Sequence, residues 1–111
     1  DLKEMVEFIN GMEAYMEEKD ISAEEHALLV VTRENLDKID DVLIPFVKEL
    51  SDGLDDPSLI FEGWDTRSDS RDKVRRFVFN QCFQRFKDDV EGKELLDLSD
   101  SLIDYIVRFR S

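Results

Sequence analysis

The chain has 111 residues, with 28 Asp and Glu against 15 Lys and Arg, and a formal net charge of -13. A chain of this length builds one core, and a hydrophobic fraction of 41% is enough for it, which excludes wholesale disorder despite 39% charged residues. The single cysteine, Cys82, excludes an intrachain disulfide and a cysteine zinc site, and the longest apolar run, Ala27–Val31, falls far short of the roughly 20 residues of a membrane span.

From the N-terminus, Leu2, Met5, Val6, Ile9, Met12 and Met16 recur at helical spacing and predict a first helix over about 2–18. Ser22, with Glu25 three residues on, forms a capping box for a second helix starting near Ala23. That helix runs toward Leu50 with a kink or break expected between Asp40 and Pro45, because proline removes a helical donor and clashes with the preceding turn. Ser51, Asp52 and Gly53 supply its stop. Asp56 and Pro57 read as a cap and first helical position for a short turn through Leu59, Ile60 and Phe61. The segment GWDTRSDS is loop chemistry, ending in a cap at Ser68, Asp69 or Ser70. The next helix runs to about Val90 and ends at Gly92, and the last covers about 93–108, with a restart at Ser99 or Asp100 as an option. Nothing alternates with the period of two expected of a half-buried strand. The expectation is one all-α domain over 1–111, a compact bundle of four to five helices with a kink or break near Pro45 and a central aromatic-rich helix near residues 70–90.

Charge is unevenly spread. Residues 1–65 hold 19 acidic and 5 basic residues, whereas residues 66–111 hold 9 and 10. The cationic and aromatic residues concentrate in RDKVRRFVFNQCFQRFK, Arg71 to Lys87. On a helical wheel Val74, Phe77, Val78, Phe79, Cys82, Phe83, Phe86 and Val90 cover about two-thirds of the circumference, so either other helices surround this segment or part of it faces a partner. Its cations have favourably spaced anions, Asp69 before Lys73, Asp72 before Arg76 and Asp89 after Arg85. That compensation, within a net charge of -13, argues against a direct nucleic-acid surface. The arginines are expected to lie beside the acidic N-terminal half and tie the halves together. Arg75, Arg76 and Arg85 are in addition candidates for the border of a partner groove, since arginine beside aromatics is the composition of interface hot spots.

Catalytic chemistry finds little to work with. His26, the one histidine, lies in SAEEHALLV with no nucleophile elbow nearby, and a di-iron Glu-x-x-His pair fails because Ala23 stands three before it. The acidic window SDGLDDPSLIFE has Ser51 and Asp56 where a calcium hand wants Asp and Gly. Glu34, Asp37 and Asp41 share a helix face, but a hydrolytic pair also needs a cleft and a raised pKa. Cys82 lies among Phe79, Phe83 and Phe86, an apolar site rather than the electropositive one a reactive thiol needs. The four glycines are isolated, so no phosphate-cradling loop exists. Trp64, in FEGWDTR, either covers the end of the core or forms an exposed anchor.

The expectation is therefore a soluble, intracellular, non-catalytic protein that needs no metal or cofactor and binds another protein, not nucleic acid or membrane. No signal-peptide pattern opens the chain. Its start at Asp1 rather than Met suggests a processed or trimmed chain, or a domain of a longer one. In the leading reading it is an adaptor or subunit docking through apolar surface around its last two helices. In a second, the acidic half, with Glu17, Glu18, Glu24 and Glu25, occupies the basic face of a nucleic-acid-acting target, as immunity proteins, antitoxins and phage-encoded inhibitors do. A third makes it the accessory domain of a larger enzyme.

Overall fold

A computed structural model describes the backbone of residues 2–110 and the side chains of residues 11–110. It is all helical: α1 (Leu2–Lys19), α2 (Ala23–Asn35), α3 (Asp40–Leu54), a 3-10 turn (Trp64–Thr66), α4 (Ser68–Phe86) and α5 (Gly92–Arg110). The side chains of Leu2, Met5, Val6 and Ile9, which belong to the first predicted stripe, lie outside the described residues.

Each helix starts or stops for a local reason. α1 ends in a left-handed residue, Asp20 (φ 56°), after which the Ile21 amide donates to the Met16 carbonyl at 3.0 Å and the Asp20 amide to Glu17 at 3.2 Å. Those two bonds satisfy carbonyls that the helix end would otherwise leave bare. Ser22 and Glu25 form the reciprocal capping box that opens α2. α2 and α3 are separate helices, and the break falls at residues 36–39, upstream of the expected Asp40–Pro45 interval. Asp40 and Asp41 occupy the first turn of α3, where carboxylates favour the positive helix end, while the exposed Pro45 lies six residues in and is tolerated on the solvent face. Asp56 accepts from both the amide and the hydroxyl of Ser58, at 2.9 and 2.8 Å, so the expected short helix is a capped turn. Gly63, at φ 82°, then swings the chain so that Trp64 enters the core. α4 starts at Ser68 with no side-chain cap, and Gly92, expected as a helix stop, is the first residue of an α5 that runs unbroken.

α2, α3, α4 and α5 close a four-helix ring in which each packs on the next and α5 returns to α2. Phe46 of α3 meets Phe86 of α4 edge-on at 5.0 Å, while Gly53 of α3 lies against Phe77, so these two helices run antiparallel. The core is aliphatic, centred on Leu28, Leu29, Leu43, Val47, Leu50, Val78, Leu98, Leu102 and Ile106, all fully buried. α1 joins this ring at its edge: Tyr15 donates to Asp40, Lys19 pairs with Asp41 at 3.1 Å, and Met16 packs on the core. No helix among the described residues is long and apolar enough to cross a membrane.

The aromatic-rich helix is present as α4, but it buries only one stripe, Ser70, Val74, Val78, Cys82 and Phe86. Four-residue spacing keeps these on a single face. Phe77 and Phe79 are half-buried and Phe83 is 45% exposed, so the wide apolar arc is divided between core and surface rather than surrounded.

α3 and α4 approach closely at Gly53, where an added Cβ would stand 2.2 Å from the Phe77 ring tip. Gly53→Ala should therefore destabilise the fold by about 1–2 kcal/mol in chemical denaturation, overpacking outweighing alanine's helical preference of about 1 kcal/mol. In a Phe77→Ala background the same change should become stabilising, because the obstructing ring is gone.

Candidate functional site

The structure distributes the candidate residues between internal and external roles. Trp64 is 1% exposed, and its indole N–H donates to the Arg110 carbonyl at 2.9 Å. It seals the end of the core, so the anchor reading is corrected: nothing of its ring reaches a partner without opening the bundle.

The cation that ties the two halves of the chain together is Arg110, not an arginine of α4. Its guanidinium donates through Nε and Nη2 to both Glu24 oxygens at 2.7 and 2.6 Å, through Nη1 to the Leu54 carbonyl at 3.1 Å, and through Nη2 to Asp55 at 2.8 Å. Ser51 adds a hydroxyl bond to Glu24 at 2.7 Å. The pair is largely covered, with side chains 20% and 24% exposed. The Arg110 bonds hold the Glu24 carboxyl below the usual range despite its partial burial. Lys38 of the α2–α3 link pairs with Asp89 beyond α4 as a second tie.

Two of the four acidic candidates thus serve the fold. Glu24 faces Arg110, and Glu25 accepts from the Ser22 amide at 2.7 Å. Glu17 and Glu18 remain exposed at the end of α1. The set does not form one outward acidic patch.

The arginine candidates separate as well. Arg76 lies beside Lys73, Phe77 and Asn80 in a groove of about 710 Å³ toward the end of α3, and its Nε donates to the Asp72 carbonyl at 3.4 Å. Arg85 borders a shallow hollow with Glu49 and Gln84. Arg75 lines a third groove, of about 790 Å³, between α4 and α5, together with Arg71, Asp100, Ile103, Asp104 and Arg108. Of the spaced pairs expected on α4, none forms as an ion pair among the described residues; Asp72 instead sits 3.7 Å from Arg75, and Arg67 pairs with Asp69.

The two helices that form the α4–α5 groove also carry exposed apolar residues, Phe83 on α4 and Leu96 on α5. Arg71, Arg75, Phe79 and Phe83 follow one another at four-residue spacing along α4, and Leu96, Asp100, Ile103 and Val107 form the matching stripe of α5. α4 and α5 run antiparallel, with Arg71 and Arg75 opposite the Asp104 and Arg108 region. Carried on two turns, that register brings Phe83 level with Leu96. Phe79 and Phe83 stack with centroids 6.2 Å apart, Lys87 stands 5.8 Å over the Phe83 ring, and Leu96 is 54% exposed. Arginine at one end and open aromatic surface at the other make a surface suited to docking a protein segment.

Elsewhere, His26 meets the Tyr15 ring edge-on at 6.0 Å in a cavity of about 290 Å³ whose other walls are Gly11, Met12 and Arg33. Burial, then the bond to Asp40, pushes the Tyr15 hydroxyl up to about 12. Cys82 is fully buried and its thiol is likewise pushed up to about 12 by burial, so at neutral pH it is a protonated core side chain.

Arg110→Met should cost about 2 kcal/mol in chemical denaturation, since it leaves Glu24 half-buried without its main partner. Glu24 has a depressed folded pKa, so its stabilisation is fully present above the ordinary glutamate range near 4.3 and is lost as pH falls through the lower folded value. Stability of the native protein should decline through that acidic window, and the decline should be shallower in Glu24→Gln, measured by denaturation at successive pH values.

No family model, curated protein or solved structure matches this chain, so its function is argued from this surface.

Proposed function

We propose that this protein is a non-catalytic helical interaction module, an adaptor or subunit domain that docks protein along the groove between α4 and α5. One observation carries the reading: Phe83, stacked on the half-buried Phe79, and Leu96 leave apolar surface in water on α4 and α5, the two helices that form the groove of Arg71, Arg75, Asp100 and Asp104. An aromatic residue 45% exposed beside a leucine 54% exposed leaves apolar surface in water that a partner would cover, and arginines at its border supply directional bonds at the rim.

The acidic-inhibitor reading draws less support, because Glu24 and Glu25 are engaged within the bundle and only Glu17 and Glu18 of that set face outward. The remaining acidity keeps the surface solvated and sets a repulsive background against unspecific association.

Phe83→Glu and Leu96→Glu change exposed side chains and should leave helicity intact while weakening capture of a docked protein from nuclease-treated lysate by tenfold or more, on the order of 1.4 kcal/mol. Phe109→Glu, on a residue 64% exposed that packs on Tyr105 and does not line the groove, is the control and should not change capture. Undiminished capture by both groove variants would exclude this surface as the docking site.

A further inference from the structure

We infer that the occupant of the α4–α5 groove is a second copy of this chain, related by a two-fold axis running along the groove, so that two helices from each copy form an antiparallel four-helix layer. This rests on the docking reading above and names its partner.

The groove carries both signs: Arg71 and Arg75 stand on α4, and Asp100, Asp104 and Arg108 on α5. Among the described residues Arg71, Asp100, Asp104 and Arg108 have no ion-pair partner, and Arg75 reaches only Asp72 of its own helix, at 3.7 Å. An acidic segment would suit the arginines but be repelled by the aspartates, and a basic segment the reverse. A matching ligand must carry both signs, at the right heights, on two parallel ridges.

A second copy does so by construction. Rotation about an axis along the groove keeps every residue at its height and exchanges the walls, so α4 of one copy faces α5 of the other. Arg75 then stands level with Asp104 of the second copy and one turn from its Asp100, whereas Arg71 stands one turn from Asp104 and level with Arg108. At the other end Phe83 covers Leu96 of the second copy. An axis across the groove would set the Arg71 end over Phe83, with no complementarity. Because α4 and α5 are antiparallel, the facing helices are antiparallel too, the usual four-helix arrangement, and each contact occurs twice.

Charge selects the same face. Two bodies of -13 repel, and that repulsion is weaker around α4 and α5, whose segment 66–111 holds 10 basic residues against 9 acidic ones, than around residues 1–65. Two 19-residue helices side by side present a face about 28 Å long and about 20 Å wide, which buries roughly 1,100 Å² over both copies. That is the low end for a specific interface, so the dimer should be reversible.

Sedimentation equilibrium of the full chain at physiological salt, from micromolar to about 1 mM, should show the mass rising from 13.1 kDa toward twice that value. The variant Arg75→Asp and the variant Asp104→Arg should each raise the dissociation constant about tenfold or more, whereas an equimolar mixture of the two should dimerise again, because both crossed contacts are restored. Helical circular dichroism of each variant checks that the bundle is intact. A wild-type chain that stays monomeric, a dimer indifferent to both reversals, or a mixture that fails to associate overturns the inference. A monomeric chain whose capture of a different protein is still lost in Phe83→Glu would overturn the second copy alone and leave the docking reading standing, while indifference of both would remove the two together.

Discussion

The bundle depends on the bonds of one guanidinium. Arg110 joins Glu24 near the start of α2, the Leu54 carbonyl at the end of α3 and Asp55 just beyond it, while its own carbonyl accepts the Trp64 indole. Three helices and the 3-10 turn therefore converge on one residue at one end of the ring. A mostly covered ion pair is stable only when its other polar positions are filled, and here Ser51 and the Leu54 carbonyl fill them. The aliphatic core supplies the driving force for collapse; this junction fixes which helix ends meet.

That constraint explains why the aromatic residues of α4 are divided. With α5 held against α2 by Arg110, and α3 against α4 by the Gly53–Phe77 approach, α4 occupies a corner of the ring and can turn only one stripe inward. Val74, Val78, Cys82 and Phe86 take that stripe, all separated by one helical turn. Phe79 and Phe83 fall outside it, the first half-buried and the second exposed, stacked on one another. The exposed aromatic surface is thus a consequence of how the ring closes.

Much of the helical order was legible in the residues. The Ser22–Glu25 box and the apolar period mark α2, and the same period marks α4 and α5, because caps and amphipathic stripes are local. The α2–α3 break was misplaced since Pro45 is the loudest local signal, whereas the helix start is settled by Tyr15, Arg33 and Lys19 engaging Asp40 and Asp41 from other helices. Arg110 was passed over because its partners lie 55 to 86 residues away in the chain. Trp64 could be read two ways for the same reason: the acceptor that buries its N–H is at the far end of the sequence. The Arg71, Arg75, Phe79, Phe83 stripe was visible as spacing, but only the pairing of α4 with α5 makes it a groove wall.

The concentration of cations in so acidic a chain then follows from the division of surfaces. A protein carrying -13 is kept apart from its neighbours and from itself wherever its surface is uniformly negative. The arginines of α4 are not consumed by the acidic half, which is tied to the second half by Glu24 with Arg110 and by Lys38 with Asp89. Arg71 and Arg75 stand in a groove opposite Asp100, Asp104 and Arg108 of α5, where both signs meet. Apolar surface exposed in a repulsive background is protected against indiscriminate sticking, and opposite charges at its border admit only a partner with the complementary pattern. Under the proposed docking, the acidity would serve specificity, since it would restrict close approach to the face where Arg75 and Asp104 stand.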